Sequence, residues 1–535
     1  MKKGIIVSFL VLLCACTERK TEKNDMNVFR YNEHTNVTSL DPAFAKDQRN
    51  IWVCNLLYNG LVKLDKNLEV VPDLAIDWTV SPDALEYTFY LRADVSFGHS
   101  PDMDANARKA IPARNMTASD IKYSLERLQD KQLASPGSWI MDKVQNVTAI
   151  NDRTLSITLK EPFPAFLGLL SMKYASVVQP EAVAYYKYDF RSNPVGTGPF
   201  YLKRWNENQK MVLRKNKTYF ERDTDGNKLP YLEAVAITFK NDKQSEFLEF
   251  AQGNLDFINA IDPSYKDELL TTNGDLKPAY HATVNMVKAP FLNTEYLGIY
   301  LDSKQPEYRN KQLRQAINMG FDRVKMIKYL RNNIGIPATS GFIPAGLPAG
   351  GVVKGYSYDV AAARKLVDAY KKESGDSSPE ITIVTSANYL DLCEFMQKEL
   401  EKIGVKATIE VMPPSTIRDE RNKGNLNMFR ASWIADYPDA ENYLSLFYSK
   451  NKTPVGSNYT HFSNATFDSY YEQALSQTSA EARKQLYIKM DSIIINEAPV
   501  VPLYYDESVR FISKNVIGME SNGVNMLDLT RVRKK

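Results

Sequence analysis

The sequence of 535 residues has few of the side chains on which catalytic and metal sites depend. Its 4 histidines stand at positions 34, 99, 281 and 461, and none lies near another along the chain. Its 4 cysteines, at positions 14, 16, 54 and 393, are too few and too scattered for a disulfide scaffold or a zinc module. We therefore expect no metal site and no cofactor. An acid–base enzyme built on this chain would have to use carboxylates alone.

An excess of charge of one sign is also absent. The chain has 67 Lys and Arg against 64 Asp and Glu, a formal net charge of +3, which is too balanced for a non-specific nucleic-acid binder. The hydrophobic content of 44% and the charged content of 24% are typical of a globular protein. A chain of this length predicts two to four structural units. We expect a recognition protein that does not bind nucleic acid.

The N-terminus predicts export. Lys2 and Lys3 precede an apolar run over residues 4–13, which is too short to span a bilayer and suits a secretory signal. The run ends in Leu13-Cys14-Ala15-Cys16, which resembles the lipobox of bacterial lipoproteins with Cys16 as the lipidated residue. We expect a signal peptide over residues 1–15 and a lipidated polar tether over residues 16–27, attached to a bacterial membrane by lipid only. The alternative is a plain signal peptide that is cleaved near this point.

The hydrophobic pattern predicts a mixed α/β fold. Apolar residues alternate along residues 86–91, and Thr117 precedes a stretch with helical spacing. Residues 380–411 read as strand, helix and strand, which indicates a parallel crossover. Residues 335–356 are rich in glycine and proline and predict a long loop, and residues 99–114 predict a polar surface insertion.

One segment combines the groups that a short zwitterion requires. Residues 430–443 read RASWIADYPDAENY, with Arg430, Trp433 and Asp436 within seven positions. A carboxylate can pair with an ammonium, a guanidinium can pair with a carboxylate, and an aromatic ring offers apolar surface between them. A strand end with a surface ion pair is the simpler interpretation of this segment taken alone.

This segment is one of several motifs by which the sequence resembles the family 5 extracellular solute-binding proteins of bacterial ABC transporters. That family includes oligopeptide- and dipeptide-binding proteins. The resemblance runs in order along nearly the whole chain beyond the predicted tether. Its motifs are 39–42 (SLDP), 57–62 (LYNGLV), 72–78 (PDLAIDW), 87–92 (YTFYLR), 117–127 (TASDIKYSLER), 194–200 (PVGTGPF), 313–318 (LRQAIN), 433–439 (WIADYPD) and 498–505 (APVVPLYY).

The resemblance implies a two-lobed periplasmic-binding-protein fold of type II, in the large variant, with ligand enclosed between lobes joined by a hinge. Lobe I would comprise residues 28–281 and 499–535, with an extra subdomain over 73–190, and lobe II residues 282–498. Cys54 and Cys393 would then lie in different lobes, so we expect two buried free thiols.

The resemblance also implies roles for four residues. Asp436 would pair with the α-ammonium of a peptide, Arg430 would meet the peptide carboxylate, and Trp433 would line a side-chain pocket. Arg421 matches a further cationic position that faces the cleft.

These roles predict a monomeric, non-enzymatic, lipid-anchored protein of the periplasm or cell envelope that captures peptides and delivers them to an ABC permease. The alternatives are the same transport role for an oligosaccharide, a cell-wall peptide or a metal chelate, a secreted carboxylate-dependent hydrolase that uses Asp436 and Asp439, and a sensor or chaperone lipoprotein.

Overall fold

The structure is a computed structural model that describes residues 27–259 and 265–535. Its strands are β1 (Val28–Glu33), β2 (Val62–Leu64), β3 (Val70–Pro72), β4 (Ala75–Val80), β5 (Glu86–Leu91), β6 (Val144–Asn151), β7 (Thr154–Leu159), β8 (Phe200–Asn206), β9 (Lys210–Lys215), β10 (Ala234–Phe239), β11 (Phe257–Asn259), β12 (Val284–Ile299), β13 (Ile336–Pro337), β14 (Glu380–Thr385), β15 (Lys406–Val411), β16 (Met428–Ile434), β17 (Val500–Ser513), β18 (Val516–Ile517) and β19 (Arg533–Lys534). The predicted lipidation site at Cys16 and the predicted signal peptide lie outside the described residues.

The helices are distributed among these strands along the chain. They are α1 (Gln48–Leu57), α2 (Ala105–Ala110), α3 (Ala118–Glu126), α4 (Phe166–Leu170), α5 (Pro180–Tyr186), α6 (Lys243–Ala251), α7 (Lys266–Leu269), α8 (Pro306–Arg309), α9 (Lys311–Met319), α10 (Arg323–Leu330), α11 (Val360–Ser374), α12 (Leu390–Glu401), α13 (Pro414–Asn422), α14 (Glu441–Leu444), α15 (Ala465–Ser476) and α16 (Ala480–Glu497). No helix within residues 27–259 and 265–535 is both long and apolar enough to cross a bilayer.

Local sequence signals account for several of these elements. Thr117 caps α3 in a capping box, because its side chain meets the third helical backbone amide while the Asp120 side chain meets the Thr117 backbone. The predicted strand–helix–strand unit is confirmed, since β14 and β15 pair in parallel on either side of α12. The predicted polar insertion at 99–114 contains α2, a helix of six residues whose polar sequence has no apolar period to reveal it.

One mixed sheet forms the centre of the molecule. Its strands lie in the order β15-β14-β16-β12-β17-β11-β1-β10-β9-β8, and β13 pairs with β17. A separate antiparallel sheet, β4-β5-β7-β6, lies within the segment predicted as an extra subdomain. The mixed α/β class predicted from the sequence is confirmed.

The long strands β12 and β17 connect the two parts of the central sheet. The first half of β12 pairs with the second half of β17, and this half of β17 also pairs with β11. The second half of β12 pairs with β16. The register between β12 and β17 is broken between the pairs Pro290–Glu507 and Thr294–Tyr505. Three residues on β12, 291–293, therefore stand opposite the single residue 506 on β17. The lobe boundaries predicted at 281/282 and 498/499 stay a prediction.

Apolar side chains pack on each side of this break. A large cluster that includes Phe29, Trp52 and Phe257 surrounds the first part of the sheet. A second cluster, with Phe342 and Phe447, and a third around α12 belong to the other part. Cys54 and Cys393 are buried free thiols, as predicted.

Candidate binding site

The loop that follows β16 carries the predicted carboxylate. β16 ends at Ile434, and the chain then turns through Asp436 toward α14. The buried side chain of Asn442, in the first turn of α14, organises this loop. Its oxygen accepts hydrogen bonds from the indole nitrogen of Trp433 at 2.9 Å and from the backbone nitrogen of Asp436 at 3.2 Å. Its amide donates to Oδ2 of Asp436 at 3.3 Å. The structure thus brings Trp433 and Asp436 together through a residue that the sequence interpretation did not single out.

Asp436 presents a carboxylate that forms no ion pair with any cationic side chain that the structure describes. The residue is exposed on one side, while the protein around it removes enough water to raise the pKa of the carboxyl above its usual value. The hydrogen bond from Asn442 acts in the opposite direction and lowers that pKa. Within the part of the chain that the structure describes, no ion pair involves Asp436. A partly desolvated carboxylate of this kind favours a ligand that carries an ammonium.

The residue after Asp436 connects the two parts of the molecule. Tyr437 is only 6% exposed and packs within the cluster of the first part of the sheet. Its ring centroid lies 6.4 Å from those of Trp139 and Phe163. The Tyr437 hydroxyl donates to Glu441, so the ring is fixed from both sides. Asp436 therefore stands at the junction where the two parts meet.

Arg430 already has a carboxylate partner. It forms an ion pair with Glu295 on the neighbouring strand β12, and its guanidinium carbon lies 3.4 Å from the ring centroid of Tyr389. Asn293 donates to Glu295 at 3.1 Å and to Asp506 at 3.3 Å. Burial is the main cause that raises the pKa of both carboxyls. A ligand carboxylate would have to compete with Glu295 for Arg430, so the predicted role of Arg430 in ligand binding stays a prediction.

Arg421 lies on a different element from Arg430 and Asp436. It sits at the end of α13, and its guanidinium carbon is 3.7 Å from the ring centroid of Tyr459. Its Nε is buried, and within the described residues it has no hydrogen-bond partner. Because side chains alternate along a strand, Trp433 and Arg430 project from opposite faces of β16. The arrangement of the four predicted residues around a ligand stays a prediction.

A cavity of about 920 Å³ lies between the two parts of the sheet, and its wall includes Tyr389, the ring that Arg430 contacts. Its wall includes Lys243 and Lys266 from the first part and Arg331 and Tyr389 from the second. Arg331 pairs with Asp391 at 2.7 Å. This volume falls in the range of small-molecule sites, and polar groups from both sides converge on it.

Asp436 and Asp439, the two carboxylates considered for hydrolysis, have different surroundings. Asp439 is buried and accepts from the Tyr487 hydroxyl at 2.7 Å and from the backbone nitrogen of Glu441 at 2.9 Å. Both contacts involve the same oxygen and hold the loop in place. Asp439 is therefore a structural residue of the loop, whereas Asp436 faces the junction.

The fold and the position of this site define the class of two-lobed periplasmic binding proteins. HbpA2 from Haemophilus parasuis has the same fold, with a TM-score of 0.82 and 22% identity over 95% of this chain and 100% of that one. The periplasmic binding protein DppA from Helicobacter pylori, solved with the peptide STSA, matches with a TM-score of 0.75 and 25% identity over 95% of this chain and 98% of that one.

Sequence comparison gives the family. Residues 69–454 match the bacterial extracellular solute-binding proteins, family 5 Middle, and the chain belongs to that family. The glutathione-binding protein GsiB of Salmonella typhimurium is 29% identical over 493 residues, 90% of each chain. The protein is thus a substrate-binding protein of an ABC importer, and members of this family are transport proteins that work in the periplasm or outside the cell.

Proposed function

We propose that the protein is a lipid-anchored receptor that binds short peptides between its two lobes and delivers them to an ABC permease. The observation that carries the proposal is the carboxylate of Asp436, which stands at the junction and has no cationic partner among residues 27–259 and 265–535. A peptide brings an α-ammonium that would complete this pair. The indole of Trp433, held by the same Asn442, would border the first side chain of the peptide.

The relatives support a peptide as the ligand. The DppA structure contains the tetrapeptide STSA, and GsiB is named for glutathione, which is itself a tripeptide. Both matches extend over nine-tenths or more of this chain. The cavity of about 920 Å³ has room for a ligand of this size, although its described wall includes neither Asp436 nor Trp433.

Contacts across the junction support a binding step that includes closure of the lobes. Tyr437 packs against Trp139 and Phe163 of the first part although it follows β16 of the second. Such contacts exist only when the two parts are close together. Ligand that bridges the parts would shift the population toward this closed form, and the permease would read the closed surface.

The lipid anchor rests on the sequence Leu13-Cys14-Ala15-Cys16. Mass spectrometry of the N-terminal peptide of protein extracted from membranes tests it. We expect a lipid mass on Cys16 and release of the Cys16→Ser variant into the soluble fraction. An unmodified Cys16 in membrane-extracted protein would contradict the anchor.

Calorimetry with two matched ligands tests the peptide site. We expect tri-alanine to bind, and N-acetyl tri-alanine, which lacks the ammonium, to bind at least tenfold more weakly. Removing one partner of a buried charge pair costs about 2–5 kcal/mol. The Asp436→Asn variant should therefore also bind tri-alanine at least tenfold more weakly than the wild type does. The variant should discriminate little between the two ligands.

Glu410→Gln, at an exposed position on β15, is the matched control and should bind as the wild type does. Native mass spectrometry of the protein as purified identifies any ligand that the protein retains, without a ligand being chosen beforehand. If an oligosaccharide or a metal chelate co-purifies and no peptide binds, the peptide assignment is wrong.

A further inference from the structure

A second cavity, of about 360 Å³, lies in the first part of the molecule. Its wall contains three lysines, of which Lys173 is the most buried. Lys173 follows α4 and is only 7% exposed, and it lines this cavity together with Ser171 and Asn55. Apolar side chains of Val524 and Met526 complete part of the wall. The volume lies at the lower end of the range for ligand pockets, which suits one side chain rather than a whole peptide.

The other basic residues of this wall have carboxylate partners. Lys63 pairs with Glu221, Arg531 lies 3.7 Å from the same carboxyl, and Lys66 lies 3.6 Å from Glu520. Lys173 differs from them. Within residues 27–259 and 265–535, no hydrogen bond or ion pair involves its ammonium, although a lysine ammonium has three donors to place.

Two carboxylates influence Lys173 from a greater distance. Burial lowers the pKa of Lys173, and the charges of Asp73 and Asp528 oppose that effect. Asp73 is occupied elsewhere, because it accepts from the Asn59 amide at 2.9 Å and from the backbone nitrogen of Gly60 at 3.2 Å. Asp528 lies in the wall of the same cavity, is exposed, and accepts from the backbone nitrogen of Thr530 at 2.8 Å. Neither lies within ion-pair distance of Lys173, so the ammonium remains open to an acceptor in the cavity.

Backbone hydrogen bonds connect one wall of the cavity with the loop that carries Asp436. The segment 520–526 forms one side of its wall, and Gly523 in that segment accepts a backbone hydrogen bond from Leu292 at 2.7 Å. Leu292 in turn accepts from the backbone nitrogen of Ala435 at 2.9 Å, one residue before Asp436. On the opposite side, the Asp436 charge acts on Tyr174, the residue after Lys173. A peptide whose ammonium pairs with Asp436 would therefore have a side chain within reach of the cavity.

We propose that this cavity is a subsite for an acidic side chain of the ligand, with Lys173 as the group that pairs with the ligand carboxylate. The proposal rests on the proposed function, since it assigns a preference within the peptide site. The methylene groups of a glutamate side chain would contact Val524 and Met526, and its carboxylate would supply the acceptor that Lys173 lacks. The protein would thus select acidic peptides from a mixture.

Calorimetry with Glu and Gln peptides of equal size tests the subsite. The probes are tri-alanine with each position replaced in turn by Glu and by Gln. We expect one Glu peptide to bind the wild type at least tenfold more tightly than its Gln partner. In Lys173→Met this ratio should fall to about one, while tri-alanine binding is kept. Lys131→Met, at an exposed position outside this wall, should keep the preference.

The two proposals fail in different ways. If no tripeptide binds the wild type, the proposed function is wrong, and the subsite is wrong with it. If neutral peptides bind and no Glu peptide is preferred, or if the preference survives in Lys173→Met, only the subsite is wrong. Should Lys173→Met fail to fold, a crystal structure of the wild type with the preferred Glu peptide decides. A ligand carboxylate within hydrogen-bond distance of Lys173 Nζ supports the subsite, and a carboxylate bound elsewhere overturns it.

Discussion

Asn442 holds the carboxylate of Asp436 by donating its side-chain amide to Oδ2 at 3.3 Å. The other end of the same amide accepts from Trp433 and from the backbone of Asp436. One buried side chain therefore sets the position of both residues at the proposed ammonium site.

Replacing this amide should weaken ligand binding without a change in any group that touches the ligand. Asn442→Ala leaves the Trp433 indole and the Asp436 backbone nitrogen without acceptors, which costs about 1–3 kcal/mol. We expect calorimetry to show weaker binding of tri-alanine and a smaller effect on its N-acetyl form. Asn422→Ala, at an exposed position, is the control. Unchanged affinity in Asn442→Ala would mean that the loop keeps its shape without the amide.

The ion pair between Arg430 and Glu295 should contribute mainly to stability. Arg430 is 16% and Glu295 3% exposed, so Arg430→Ala leaves a buried carboxylate without its cation. Breaking a buried pair in this way costs about 3–5 kcal/mol. Denaturant unfolding should show this loss, and the double variant Arg430→Ala with Glu295→Leu should recover part of it. Arg418→Ala, on the exposed side of α13, is the matched control. If Arg430→Ala keeps its stability and loses ligand, Arg430 binds the ligand carboxylate.

The pH dependence of stability should show the effect of the Asp491 proton. This carboxyl is fully buried in α16, accepts from the backbone nitrogen of Phe342 at 2.7 Å, and has a pKa that burial raises to about 7. Between about pH 4 and 7 the unfolded chain loses this proton while the folded chain keeps it, so the free energy of unfolding falls as the pH rises. Each unit of pKa difference contributes about 1.4 kcal/mol.

Melting temperatures at pH 5 and pH 8 measure this effect. We expect Asp491→Asn, which cannot ionise, to lose less stability over the interval than the wild type does. Asp225→Asn, at an exposed position, should behave like the wild type. If the melting temperatures of the wild type and of Asp491→Asn change by the same amount between pH 5 and pH 8, the buried carboxyl does not titrate in this range.

Elements with a short-range signal could be predicted from the sequence. The strand at 86–91, the helix after Thr117 and the unit at 380–411 depend on periodicity and capping within a few residues, and all three are confirmed. Trp433 and Asp436 lie together in the structure for a similar reason, since three positions separate them.

Contacts between distant segments had no such signal. Glu295 meets Arg430 across 135 positions, because β12 pairs with β16 in one particular register. Nothing in the local sequence shows that register. The cavity beside Lys173 likewise combines segments near residues 64, 173, 221 and 524, and only the folded chain brings them together.

If the lobes open and close as proposed, the broken register between β12 and β17 would determine what sets the energy of opening. Residues 291–293 and 506 stand outside the pairing of β12 with β17, although Asn293 pairs with Ile434 of β16. If the two parts of the sheet turn about this point, we expect the pairs of β12 with β17 on either side to be kept. The cost of opening then comes from the surfaces that separate, such as the contact of Tyr437 with Trp139. Substitutions at that contact would tune the affinity for ligand from a distance, because they change the stability of the closed form alone.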